Sequence, residues 1–357
     1  MRHMSSTRKL VAGLSASVLM LAGAATAHAA PVNVPWSPDT SVDSELEFVS
    51  DGVTYYGSLR PAIGEVRGAA LLLPGSGPID RNGNSPEGQI TPNTIAYLAD
   101  ALAAKGITTL RFDKIGTGRT GTEGIDTSVP LGFTQQIDTA EAAAAALSDA
   151  TGISGEKFSV LGHSEGGLTA LALADRGVEI GNLGLLAPLA IRYLDLLHAQ
   201  LDRVLDNVVA SGEMTPDEAD AERVRVDETI DAIRNGRPVP YPDDEILASV
   251  GLSDSGAKFF SEADALDPAV LAAALPTDTD VLLTCSEKDL NVSCGQTDRV
   301  ADALAGRDLQ YSRFVNSSHM LSELGPLPAT GLDIYAPLPQ SSEFRGALDA
   351  WADSALS

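Results

Sequence analysis

The chain has 357 residues, 44% hydrophobic and 20% charged, and its 24 Lys and Arg against 49 Asp and Glu give a formal net charge of −25. That length suits one large domain, or one domain with an insertion, and is ample for a buried core. So acidic a surface repels phosphate backbones and anionic lipid, which argues against nucleic acid as a partner, while the acid excess identifies no substrate.

Met1 to Lys9 carry Arg2, Arg8 and Lys9 and no acid, an apolar run extends from Leu10 to about Ala25, and Ala27-His28-Ala29 is a small-x-small pattern. Residues 1–29 therefore read as a signal peptide, cleaved after Ala29 or Ala30. The alternative is a retained membrane anchor, but Gly13, Ser15 and Gly23 dilute the run and it is short for a span. Removal of the three basic residues would take the net charge to −28. No later stretch is long and apolar enough to cross a bilayer, so the expected product is secreted, extracellular and without stable membrane insertion. Only Cys285 and Cys294 are present, and export puts them where disulfides persist. A zinc site would need further Cys or His nearby, and none is close in sequence. A local disulfide is expected.

Residues 31–44 are Pro- and Ser-rich and read as an extended segment. Leu46–Val49 and Val53–Leu59 flank Asp51-Gly52, a hairpin signal. From Gly68 strands alternate with helices. The strand-like runs are Ala69–Leu73, Ile107–Phe112, Phe158–Leu161, Leu183–Leu186, Val281–Thr284 and Leu309–Phe314. Helical patterns cover Thr94–Ala104, with Thr91 and Pro92 at a plausible start, then Gln135–Ala150 and Glu165–Asp175. This alternation predicts an α/β fold, a mostly parallel central sheet with helices on both faces.

Between Leu186 and Val281 the alternation stops. Ile191–Ser211 and Pro216–Asn235 read as long amphipathic helices, the second opened by a Thr215–Glu218 capping box with Pro216 at its first position, and Asp244–Ala265 as a further helical piece. The expected organisation is a core of residues 30–189 and 277–357, with residues 190–276 inserted as a helical cap or lid.

Gly162-His163-Ser164-Glu165-Gly166 is a G-x-S-x-G element between a strand and a helix. A serine on that turn is held in a strained conformation with its Oγ exposed above the strand ends. The helix behind it offers N–H groups and partial positive charge to a developing oxyanion. Leu73-Pro74-Gly75-Ser76-Gly77-Pro78 ends an earlier strand, where the other half of an oxyanion hole belongs, so the backbone N–H groups of Ser76 and Glu165 are the candidate donors. A plain turn would not explain that chain order. Asp80 and Arg81 read as bracing the loop.

Of the five histidines, His3 and His28 fall in the leader, His163 sits inside the serine turn, and His198 lies in the first cap helix. His319 follows the last sheet strand and fits the order Ser, acid, His, which makes it the candidate base. The acid should follow Val281–Thr284. Asp289 is the first candidate and Glu287 its rival, while Asp278 and Asp280 come too early. Its role would be to hold the imidazole in one tautomer. A Cys285–Cys294 bridge would stiffen the loop around Asp289. Arg111–Arg119 lacks the spacing of a phosphate loop and reads as a turn braced by Asp113 and Arg119. No metal-ligand cluster or dinucleotide fingerprint occurs, and the chemistry suggested here needs neither metal nor cofactor.

On PGSGPIDRNGN at 74–84, GHSEGG at 162–167, CSEKD at 285–289 and SSHM at 317–320, with Asp267-Pro268 before the acid strand, the chain resembles α/β-hydrolases of the bacterial secreted esterase and serine-aminopeptidase-like group. The likeness spans about residues 45–355 and is weakest in the cap. It departs at Ser286, where the group usually has glycine three residues before the acid, which keeps Asp289 and Glu287 both open. The resemblance implies an α/β-hydrolase fold and cleavage of small carboxylic esters, or in some relatives amides and thioesters. The alternatives are a secreted aminopeptidase-like enzyme, for which acidic cap residues could hold an amine, a thioesterase on the same fold, or a catalytically dead binding module.

Overall fold

Asp51 and Gly52 take positive φ angles of 50° and 78° and turn β1 (Ser44–Ser50) back onto β2 (Val53–Arg60), with Ser50 opposite Val53. That mirror-image turn matches the natural twist of paired strands, and Asp-Gly adopts it at low cost. The structure is a computed structural model that describes residues 40–356 except 86–89, 124, 127, 331–332 and 336–337. The expected leader and the start of the Pro- and Ser-rich segment lie outside the described residues.

The described residues divide into two compact units. The larger is built on an eight-stranded sheet whose other strands are β3 (Gly68–Leu73), β4 (Ile107–Phe112), β5 (Gly155–His163), β6 (Ile180–Leu186), β7 (Asp280–Ser286) and β8 (Leu309–Phe314). Its order is β1-β2-β4-β3-β5-β6-β7-β8. Pairing is antiparallel from β1 through β2 to β4 and parallel from there on. The parallel strands thus bring all their carboxyl ends to one edge, and every loop that bears a candidate residue leaves from that edge.

Helices α1 (Thr94–Ala103), α2 (Phe133–Thr151) and α3 (Glu165–Asp175) follow β3, β4 and β5. The four helices that come next in the chain belong to the smaller unit. The sheet unit resumes with α8 (Pro268–Ala274), α9 (Cys294–Ala303) and α10 (Ser342–Ala355). On one face Ile95, Leu98 and Leu102 of α1 and Leu348 and Trp351 of α10 pack in a single cluster with Leu72, Leu161 and Leu282 of the strands. The alternate strand residues Leu71, Leu73 and Val160 are also buried and, by the two-residue period of a strand, face the other way. There α3 packs on β3, β5 and β6. Both faces are therefore apolar, as a parallel sheet requires.

Helix α1 begins at Thr94, the first residue of the helical pattern read in the sequence, but it is not capped by Thr91 or Pro92. Its cap is Asn93 in the left-handed region (φ 53°), a conformation Asn tolerates better than Thr or Pro, and Thr94 is the first helical residue.

The smaller unit comprises Ser128–Gln135 and Ile191–Asp267. It contains α4 (Tyr193–Ala210), α5 (Pro216–Arg234), α6 (Glu245–Ser249) and α7 (Asp254–Asp264). The capping box at Thr215 and Glu218 forms with both bonds in place. The piece expected over Asp244–Ala265 is two helices rather than one, because Gly251 (φ 81°) turns the chain into the left-handed region and Ser253 restarts it in an extended conformation. Phe133, Tyr193, Phe259 and Phe260 meet edge to face. Buried Asp264 accepts from Arg192 Nη2 at 2.7 Å, Arg234 Nε at 2.9 Å and the Leu194 N–H at 2.8 Å. A buried carboxylate is tolerable only with such partners. No helix among the described residues is long and apolar enough to cross a membrane.

Candidate active site

Ser164 sits between β5 and α3 with φ 54° and ψ −120°, outside the regions an L-residue prefers. The turn is possible because of the glycines around it. A Cβ on Gly162 would come within 2.0 Å of the Gly166 carbonyl oxygen, and one on Gly166 within 2.4 Å of the Leu73 carbonyl oxygen. The strained residue is fixed from both sides: its N–H donates to the Leu186 carbonyl and its carbonyl accepts from Gly167 and Leu189, all at about 3 Å.

His319 reaches this serine from the loop after β8. Its Nε2 lies 3.0 Å from Ser164 Oγ and its Nδ1 lies 2.8 Å from Asp289 Oδ2. An ionised Asp289 can only accept, so Nδ1 carries the proton and Nε2 is left to accept from the serine hydroxyl. All three residues are buried. The other oxygen of Asp289 accepts from the N–H groups of Asn291 (2.7 Å) and Val292 (2.9 Å), which fixes the carboxylate in its own loop. The rival Glu287 is turned outward, and its Oε1 takes Arg313 Nη2 at 3.1 Å.

The loops that carry His319 and Asp289 are tied to each other and to the fold. Ser286, where glycine was expected, donates its hydroxyl to the Ser317 carbonyl at 2.6 Å and joins the two loops directly. Glu343, at the start of α10, accepts from the N–H groups of Val315 and Asn316, both at 3.0 Å. Cys285 and Cys294 form a disulfide with Cα atoms 5.3 Å apart, closing the acid loop onto the first residue of α9.

His163 packs its ring 4.9 Å from that of His319 and donates from Nε2 to the His319 carbonyl at 2.8 Å. Burial first, and the neighbouring imidazole second, lower its pKa to about 3, so it stays neutral. Nothing in its spacing announced this role. His198 is in the smaller unit, between Asp202 and Asp227.

The Pro74–Gly77 loop passes beside the serine: a Cβ on Gly75 would lie 3.3 Å from Ser164 Cβ. Among the described residues the Ser76 N–H has no hydrogen-bond acceptor. The loop is held from below. Asp113 accepts from the Arg81 N–H (2.9 Å) and Nη2 (2.6 Å) and from the Arg119 N–H (2.9 Å), and Asp80 accepts from the N–H groups of Asn82 and Asn84. The Arg119 side chain instead pairs with Glu45 over the ring of Tyr56.

Three further residues around the site were not legible in the sequence. Lys114 and Gln136 both donate to the carboxylate of Glu165. Asp333 lies near the His319 loop. Burial pushes its carboxyl up, and a hydrogen bond from the Ser318 side chain and the attraction of His319 act against that. No group of three His, Cys, Asp or Glu among the described residues is arranged to hold a metal ion.

The sequence profile described as serine aminopeptidase, S33, matches residues 92–323, well over half of the chain. No curated protein matches the sequence. Among solved structures, a highly thermostable carboxyl esterase of Bacillus coagulans superposes with a TM-score of 0.56 at 15% identity, over 88% of this chain and 99% of that one. An esterase of Pyrococcus furiosus gives 0.55 at 13% identity, over 96% and 98%. The proline iminopeptidase of Mycobacterium smegmatis gives 0.54 at 15% identity, over 88% and 99%. At such identities these likenesses establish the fold, and the profile match establishes the family. The chain belongs to the serine aminopeptidase family of α/β-hydrolases.

Proposed function

We propose that this protein is a secreted serine hydrolase that cleaves small carboxylic esters by acyl transfer through Ser164. The reading rests above all on the continuous hydrogen-bonded chain Ser164–His319–Asp289 ending at a serine in a strained strand-to-helix turn. His319 takes the hydroxyl proton as Ser164 Oγ attacks the ester carbonyl. The tetrahedral oxyanion is held by the N–H groups of Ser76 and Glu165. As the adduct collapses, the C–O bond to the alcohol breaks and His319 returns its proton to the departing oxygen. Water then attacks the acyl-enzyme, with His319 again accepting a proton, and the carboxylic acid leaves while Ser164 regains its hydrogen. Asp289 stays ionised throughout and stabilises the imidazolium.

A peptidase is the competing reading, favoured by the description of the matching family and by the proline iminopeptidase among the similar structures. The two separate on substrates. Hydrolysis of p-nitrophenyl acetate should exceed that of aminoacyl p-nitroanilides by at least about 100-fold in kcat/KM, a difference of roughly 2.7 kcal/mol in transition-state stabilisation. Efficient anilide cleavage with poor ester cleavage would replace the ester reading by the peptidase one.

A further inference from the structure

Lys114 stands one residue after Asp113, at the end of β4, and its ammonium is largely buried. Its Nζ donates to the Gly75 carbonyl at 2.7 Å and to Glu165 Oε1 at 3.0 Å. The same carboxylate oxygen accepts from Gln136 Nε2 at 2.9 Å, and Gln136 also donates to Thr169 Oγ1 at 3.0 Å, one turn further along α3. A single ammonium thus joins the two segments to which the oxyanion donors belong. We propose that Lys114 is a positioning residue of the oxyanion hole, setting the direction of the Ser76 N–H and neutralising Glu165 beneath it. This inference rests on the acyl-transfer reading given above.

The first part follows from peptide geometry. The Gly75 carbonyl and the Ser76 N–H belong to one planar unit, and the described residues include no cis peptide bond, so the two groups point in opposite directions. An ammonium that holds the carbonyl on one side holds the N–H on the other. Glycine at 75 makes the plane easy to rotate, and the close approach to Ser164 leaves little room for a larger residue. Without an external tether the peptide has few other constraints.

The second part is electrostatic. Glu165 is the residue after the nucleophile, its carboxyl is buried, and it lies at the helix end where negative charge must develop during reaction. A bare carboxylate there opposes the oxyanion in a region of low effective dielectric. Paired with Lys114 it forms a neutral unit, and the positive helix end remains available to the substrate.

The test measures kcat, KM and the inhibition constant of 2,2,2-trifluoroacetophenone, which forms a tetrahedral adduct on serine, for the full mature protein and Lys114→Met. A misdirected donor should cost less than a deleted one, so kcat should fall on the order of 10- to 100-fold while KM moves less than about threefold. Affinity for the ketone should weaken in parallel with kcat. If Lys114→Met does not fold, Lys114→Arg, which keeps the charge, is measured on the same readouts and should show a smaller but still parallel loss. Folded variants with wild-type kcat and ketone affinity would overturn the proposal, and so would a kcat loss with ketone affinity unchanged. Labelling of Ser164 by a fluorophosphonate, run beside these assays, keeps the two claims apart. If Ser164 is labelled and Lys114 is without effect, the positioning role fails and the acyl-transfer reading stands; if Ser164 is not labelled, that reading fails first.

Discussion

Asp289 divides its two oxygens between tasks: Oδ2 receives His319 Nδ1 at 2.8 Å, while Oδ1 is held by two N–H groups of its own loop. The carboxylate is therefore held within its own loop independently of the imidazole, and the histidine is oriented by a partner that is itself anchored. Glu287, two residues earlier, spends its charge on Arg313 at the surface. The turn after β7, in which the Asp289 N–H donates to the Ser286 carbonyl at 3.1 Å, leaves Glu287 exposed and Asp289 buried.

This relationship predicts very different costs for two substitutions. Asp289→Asn should lower kcat by about 10³-fold or more, because an amide can present the wrong hydrogen to His319 and leave Nε2 protonated. Glu287→Gln should stay within about threefold of the parent, since an exposed ion pair contributes little. Steady-state ester hydrolysis of both variants checks this, and a larger loss at Glu287 would reassign the acid.

His163 gives a prediction on pH. Its pKa is lowered to about 3, whereas an unfolded imidazole titrates near ~6.5. Between those values the unfolded chain binds a proton that the folded protein refuses, so this group makes stability fall as pH drops from about 6.5 towards 3, by at most about 1.4 kcal/mol per pH unit. His163→Gln, whose amide can still donate to the His319 carbonyl, should flatten that part of the stability profile in denaturant titrations. An unchanged stability slope would show that His163 is not held neutral.

The disulfide should act on stability more than on chemistry. A bridge between Cys285 and Cys294 closes a loop of ten residues, which in the chain-entropy treatment contributes roughly 2–3 kcal/mol. The Cys285→Ser, Cys294→Ser double variant should lose about that much in chemical denaturation and retain a measurable kcat, because Asp289 is also held by backbone N–H groups. Intact protein should offer no thiol to alkylation. Two reactive thiols in protein recovered from the medium would contradict the bridge.

What was legible in the sequence was local. The Asp51-Gly52 hairpin, the strand-to-helix turn around Ser164 and the Thr215 capping box each depend on residues within a few positions of one another. The chain order of Ser164, Asp289 and His319 added the one long-range relation that could be read, because loops at the carboxyl ends of parallel strands meet. Lys114 was passed over because its two partners lie 39 and 51 residues away, and a lysine in a Gly-rich turn carries no sign of what it will reach. Ser286 looked like a departure, yet its hydroxyl supplies a bond to the Ser317 carbonyl that glycine could not make. Residues 128–135 join the smaller unit through Phe133 meeting Phe259 edge to face and Glu262 accepting from the Thr134 N–H, contacts set by tertiary packing rather than by any pattern in that stretch. The helices 294–303 and 342–355, which begin at Ser293 and Ser341 caps, are not among the elements predicted from the sequence.

The role of Ser164 as nucleophile is tested most directly by intact mass after brief exposure to a p-nitrophenyl ester quenched in acid, for the parent protein and Ser164→Ala, alongside steady-state turnover. The parent should gain the mass of one acyl group, mapped by peptide fragmentation to Ser164. The folded variant should gain none and lose turnover by at least about 10³-fold. A folded Ser164→Ala protein that still turns over ester at near the parent rate would exclude Ser164 as the nucleophile, whatever the geometry around it.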